Sequence, residues 1–221
     1  MTPTLEGGQG RRRAATGRGL TLIVALAAAA CLSLTQLAGV ARADGGQLCD
    51  GYAGCSGGAF TVHGYQSAAA SSWWRMFPGV NCTNYAAFVE SQVYGVPAPA
   101  ALLGNAYQWA ASAAAAGIPV DNTPTVGAVA VWAAGGAGIG SLGHVAVVEA
   151  VGPGGSYIDI SQSGIGSATD GYDWQQIARG SSSWEPWPTS FIHFQGPGIP
   201  GTLPPPGQRV AGAEPIMAGY P

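Results

Sequence analysis

The sequence predicts an α+β domain in which helices come first and pack on an antiparallel sheet. Two observations carry this. From Cys82 onward, apolar residues recur at helical spacing, with Cys82, Tyr85, Ala86, Val89 and Val93 on one face. Further on the period changes to two, and stretches 127–133, 144–151, 155–161 and 190–195 read as strands joined by glycine-rich turns. Helices followed by a run of such strands make an α+β architecture.

The elements follow in order. Arg11, Arg12, Arg13 and Arg18 form a basic region, Leu20 to Leu37 an apolar run, and Ala41-Arg42-Ala43 a small-x-small cleavage pattern. Together they predict a signal peptide over residues 1–43 and an exported protein with no stable membrane insertion. A retained anchor and a lipoprotein cysteine at Cys31 are the weaker alternatives. Residues 44–72, rich in glycine, serine and alanine, read as a loop-rich leader with at most a short extended piece. Residues 73–195 form the predicted functional domain. Within it, Asn81 caps a helix that Gly95 and Pro97 stop, and a second helix runs from about Asn105 to Ala116, closed by Gly117 and Pro119. From residue 196 the chain is proline- and glycine-rich and reads as a disordered tail.

Charge and cysteine usage narrow the function. There is no lysine, and past the signal only Arg75, Arg179 and Arg209 remain against a larger set of carboxylates. Such a chain has no electrostatic footprint for nucleic acid. Three cysteines survive processing, an odd count that implies one pair and one free thiol in an exported protein. Cys49 and Cys55 flank a short glycine-containing segment and are the expected disulfide, which leaves Cys82. No cofactor motif or metal-ligand spacing is visible, and a monomer is expected.

Cys82 falls at the first helical position, where unpaired N–H groups and the positive helix end favour a thiolate and can receive an oxyanion. Of the three histidines, His63 lies in the leader, and His193 alternates with apolar residues as a structural histidine would. His144 opens a strand at the rim of the sheet, where an imidazole can serve as base. If Gly152-Pro153-Gly154 closes a symmetric hairpin, His144 stands opposite Gln162, whose amide then orients the ring. Trp73 and Trp74, just before the cysteine, are candidates to line a substrate cleft, with Asn81 beside them.

Four blocks in order resemble a known family: Asn81-Cys82-Thr83-Asn84-Tyr85, Gly104-Asn105-Ala106-Tyr107-Gln108-Trp109, Pro124-Thr125-Val126-Gly127-Ala128-Val129-Ala130-Val131-Trp132 and Gly143-His144-Val145-Ala146-Val147-Val148-Glu149. They look like the CHAP domain, and together they span roughly residues 73–194. The resemblance implies a papain-like fold and hydrolysis of peptidoglycan amide bonds, with Cys82 attacking, His144 as base and the residue at 162 orienting His144. The family commonly places Glu, Asp or Asn at that last position. Gln162 can fix the tautomer as a neutral amide but brings no charge. The expected protein is therefore a secreted, cell-wall-associated cysteine amidohydrolase acting on peptidoglycan or muropeptides. The alternative is a secreted binding module that keeps the fold without turnover.

Overall fold

The computed structural model describes residues 45–136, 138–164, 166–181 and 185–196. The expected signal peptide lies outside these residues, as do Trp184 and all but the first residue of the expected tail. In chain order the elements are β1 (Gly46–Asp50), α1 (Gly51–Gly54), α2 (Tyr65–Ala68), α3 (Cys82–Gln92), a 3₁₀ turn (Ala106–Gln108) leading into α4 (Trp109–Ala115), β2 (Val120–Asp121), β3 (Val129–Trp132), β4 (His144–Val151), β5 (Tyr157–Ser163), β6 (Tyr172–Ala178) and β7 (Ser190–Ile192). The strands form one seven-stranded sheet in the order β1-β6-β5-β4-β3-β7-β2, and neighbours pair antiparallel. The α+β expectation holds.

Helix α3 begins where the sequence places it. Asn81 is extended, and its side chain accepts the Asn84 N–H at 2.9 Å, as an N-cap does. Past the helix, Gly95 takes a positive φ of 69° and the Val96 N–H returns to the Glu90 carbonyl, a glycine-dependent helix stop. The helix lies across β4 and β5. Its Tyr85, Ala86, Phe88 and Val89 pack with Val145, Val147, Val129 and Val131 in the larger core. Each of the larger side chains buried there contributes about 1.5–3 kcal/mol. The other face of the sheet carries a second core of Ala130, Trp132, Ala146, Val148, Ile158, Ile160 and Phe191.

Strands β2 and β6 escaped the sequence reading, and the short extended piece of the leader is a paired strand. The leader holds β1, which pairs with β6, and the Cys49–Cys55 disulfide joins that strand to the end of α1. Tyr52 and Tyr65 of the same segment are buried, with Tyr52 stacked on Tyr172 at 5.0 Å. Strand β6 is wholly buried although Asp173, Gln175 and Gln176 interrupt its apolar pattern. Gln175 donates to Asp173 at 2.8 Å, Gln47 to Asp173 at 3.2 Å and Gln176 to Asp159 at 2.9 Å. These bonds let the polar residues enter the sheet interior. The two-residue β2, beside β7, is too short to show a period.

Candidate active site

Cys82 occupies the first position of α3 and is the free cysteine among the described residues. The segment leading to it is pinned by Asn84. The Asn84 amide donates to the Tyr65 hydroxyl and the Ser71 carbonyl, both at 3.0 Å, and its oxygen accepts the Trp73 N–H at 2.9 Å. Burial pushes the Cys82 thiol up, against the pull of the backbone N–H groups of Val145, Thr83 and Cys82 itself. The helix terminus was expected to favour a thiolate. Its N–H groups are in place, but desolvation outweighs them and the resting group is a thiol. The Val145 contact sets the sulfur beside β4, one residue from His144.

The hairpin carrying His144 differs from the symmetric turn expected. Pro153–Gly155 form a 3₁₀ turn, the Gly152 N–H donates to the Tyr157 carbonyl at 2.8 Å, and β5 starts at Tyr157. Nearest the turn, Val151 faces Ile158 and Ala150 faces Asp159, and a bulge at Glu149 then shifts the ladder to Val148–Ile160 and Val147–Ser161. Extended by the same step, Gln162 lies two residues from the position opposite His144. That makes it a diagonal neighbour on the same face. Without the bulge the count would be odd and Gln162 would point to the other side of the sheet. The expected direct opposition is thus corrected, yet the two side chains meet, with His144 Nε2 2.7 Å from Gln162 Oε1. An amide oxygen can only accept, so Nε2 carries the proton and Nδ1 is left as the basic nitrogen. Burial holds the imidazole down to about 4, with the Gln162 bond opposing. His144 is therefore neutral near pH 7.

One member of this cluster was missed from sequence. Glu185 is 0% exposed. Its Oε2 accepts the Gln162 Nε2–H at 3.2 Å, and its Oε1 is 3.8 Å from His144 Nε2. It sits in a Ser/Pro-rich stretch with no periodicity, and only the pairing of two buried polar groups across the fold reveals it. Two neighbours frame the imidazole. The Trp132 ring lies 5.5 Å from it, and Gly143 permits a close approach to Tyr107, whose N–H binds the Leu142 carbonyl at 3.0 Å.

The candidate substrate-binding residues fare differently. Trp74 is buried between Trp109 and Phe194, which removes it from any cleft. Trp73 turns its ring to Phe88 and donates its indole N–H to the Ala68 carbonyl at 3.1 Å. Asn81 is occupied by the cap and by a 2.7 Å bond to the Phe77 carbonyl. The exposed apolar side chains flanking the site are instead Phe77 (76%) and Val80 before Cys82, and Leu142 (60%) and Tyr107 beside His144. His193 bonds Thr125 and Asp121 at 3.1 and 3.0 Å and is structural, as its strand context predicts. Among the described residues no group of three or more His, Cys, Asp or Glu is placed to hold a metal ion.

A family model for the CHAP domain matches residues 49–164, more than half of the chain. The chain belongs to the CHAP domain family. The CHAP match takes in Cys82, His144 and Gln162 and ends before Glu185. A Staphylococcus aureus protein named "Probable autolysin LDP" is 38% identical over 95 residues, covering 43% of this chain and 31% of that protein. Among solved structures, an N-acetylmuramoyl-L-alanine amidase from Staphylococcus aureus is 28% identical with a TM-score of 0.43, over 52% of this chain and 31% of that one. Ly7917 is 18% identical with a TM-score of 0.35, over 56% of each chain. The chain thus spans about a third of the length of the curated relative and of the amidase. The CHAP assignment rests on the match over residues 49–164.

Proposed function

We propose that this chain is an exported peptidoglycan hydrolase that cleaves an amide bond through Cys82, with His144 as general base and Gln162 orienting it. The observation that carries this is the Nε2–Gln162 bond, which fixes one tautomer of an imidazole whose strand neighbour Val145 touches the thiol. CHAP membership and the similarity to a protein named as an autolysin support peptidoglycan as the substrate class.

Thiol and imidazole are both neutral at rest, so activation is by general base on substrate binding and not through a standing ion pair. As Sγ attacks the carbonyl carbon, Nδ1 takes the thiol proton. The Cys82 backbone N–H, at the start of α3, receives the developing oxyanion. Collapse breaks the C–N bond, and the imidazolium returns the proton to the departing amine, leaving a thioester. A water molecule, deprotonated by Nδ1, then releases the acid and restores the thiol.

The test is digestion of purified peptidoglycan by the chain and by Cys82→Ala and His144→Ala, with new termini identified by mass. Cys82→Ala is expected to release nothing, and His144→Ala about 10²–10⁴-fold less than the wild type. Release by Cys82→Ala would end the mechanism, and an inert wild-type chain that still binds the wall would favour the binding module.

A further inference from the structure

We infer that Glu185 is a positioning residue for His144, supplying through the Gln162 amide the negative charge that Gln162 itself lacks. The inference rests on the assignment of Cys82 and His144 above. Three side chains form one directed chain: His144 Nε2–H to Gln162 Oε1 at 2.7 Å, then Gln162 Nε2–H to Glu185 Oε2 at 3.2 Å. The second carboxylate oxygen lies 3.8 Å from His144 Nε2. An amide that donates to a carboxylate is polarised so that its oxygen becomes a stronger acceptor, and consecutive bonds of this kind reinforce each other. The charge therefore acts on the imidazole both along the chain and directly across 3.8 Å of buried space.

The segment that holds Glu185 is fixed to β3, the strand that pairs with the β4 of His144. Trp132, whose ring lies against His144, donates its indole N–H to the Pro186 carbonyl at 2.6 Å. The Thr189 N–H and hydroxyl both bind the Val131 carbonyl, at 2.8 and 2.9 Å. One tryptophan thus positions the ring and the residue next to the carboxylate together. Among the described residues, the titratable groups near Glu185 are His144 from β4 and Asp173 from β6. Asp173 stands opposite Gln162 in the β5–β6 ladder and is held by Gln175 and Gln47. Cys82 of α3 meets β4 at the backbone N–H of Val145, the residue after His144.

Burial pushes Glu185 up to about 8, with the nearby Asp173 adding to the rise and the Gln162 bond opposing. Burial favours the neutral form of each group. Once Glu185 has released its proton to solvent, as it does when pH rises through about 8, its carboxylate stabilises an imidazolium forming 3.8 Å away in a site that excludes water. The cluster is therefore matched to the moment when His144 takes the thiol proton. It does not hold a permanent ion pair at rest.

The experiment follows the His144 imidazole by NMR titration, alongside peptidoglycan turnover, in the wild-type chain, Glu185→Gln, Asp173→Asn and the double variant Gln162→Glu/Glu185→Gln. In the wild-type chain the His144 resonances should carry a step near pH 8 as Glu185 ionises beside the ring, and Glu185→Gln should lose that step. Turnover should fall by about tenfold or more with little change in KM, since a weaker base slows the proton transfer and not binding. The double variant, which moves the carboxylate next to the imidazole, should restore both. Should Glu185→Gln fail to fold, Glu185→Asp withdraws the carboxylate by one methylene and should diminish the same step. The inference is overturned if His144 titrates alike with and without the carboxylate, or if Asp173→Asn moves it and Glu185→Gln does not. The titration reads Glu185 even if Cys82→Ala still digests the wall, so the two failures are told apart.

Discussion

Strands β4 and β5 carry two buried histidine–carboxylate clusters on their opposite faces, and the clusters differ in how the acid reaches the ring. On the α3 face His63 meets Glu149 directly, Nε2 to Oε1 at 2.8 Å. Ser161 donates to the same carboxylate oxygen and exchanges a 2.6 Å bond with the Tyr85 hydroxyl. On the other face an amide separates His144 from Glu185. A direct pair ties the 61–65 segment to the sheet and commits its imidazole to that one task. The relayed pair holds the ring in one tautomer, leaves Nδ1 uncommitted and keeps the imidazole neutral until a proton arrives. The first arrangement suits a structural role and the second a base. The bulge at Glu149 belongs to both clusters, since it turns Glu149 toward His63 and restores Gln162 to the face of His144.

Exchanging the two histidines for alanine tests this division most sharply. His144→Ala should lower muropeptide release by about 10²–10⁴-fold, the usual contribution of a general base, with a nearly unchanged melting temperature. His63→Ala should show the opposite pattern, destabilising by about 1–3 kcal/mol because a buried carboxylate loses a partner, with turnover per folded molecule preserved. Thermal melts paired with rates normalised to folded protein separate the outcomes. A large loss of turnover in His63→Ala would mean that the two faces are not independent.

Gly164 probes the next link, where β5 approaches the cysteine. It follows β5 at φ +82°, and a Cβ there would lie 2.9 Å from Asn81 Cα and 3.1 Å from the Cys82 nitrogen. Gly164→Ala places a methyl group on the N–H assigned to the oxyanion. Its turnover should fall by about 10²-fold, comparable to loss of one oxyanion donor. The accompanying left-handed strain is about 1–2 kcal/mol. A thiol-directed label should still react with Cys82, because the methyl blocks the amide and not the sulfur.

These clusters also mark how far the sequence could be read. The helix from Cys82 and the strand from His144 show their periods plainly, because each has one face in an apolar core. Gln162 was reachable by pairing parity, although through a turn of the wrong length, since a two-residue error keeps a side chain on its face. Glu185 was not reachable. It sits in a stretch without periodicity, and what marks it among the described residues is contact with Gln162 on β5 and His144 on β4. Strand β6 was hidden for a related reason, because its polar residues are satisfied by Gln47 and Asp159 from elsewhere in the chain. Trp74 shows the converse, where proximity in sequence to Cys82 suggested a cleft but the ring has its partners in the core.

The smallest expected effect comes from another buried carboxyl, Glu90 at the end of α3, on the same side of the sheet as Glu149. Its Oε2 accepts from Gln195 at 3.1 Å. Burial holds it up to about 8, with Gln195 opposing and Glu149 adding to the rise. A carboxyl raised in the folded state binds a proton between about pH 4.5 and 8 that the unfolded chain has already released, so stability is greatest below that window and falls as pH rises through it. Glu185, raised for the same reason, acts in the same direction. His144, held down to about 4, costs stability only as pH falls below the ordinary histidine range. Glu90→Gln keeps an acceptor for Gln195 and removes the titration. Its melting temperature should match the wild type near pH 5, exceed it by several degrees at pH 9, and leave the rate of wall digestion unaltered. Equal slopes of melting temperature against pH in the two proteins would show that Glu90 is charged in the folded state. The helix face would then hold Glu90 as a charge bonded by Gln195, whereas Glu149 has both His63 and Ser161 on its carboxyl.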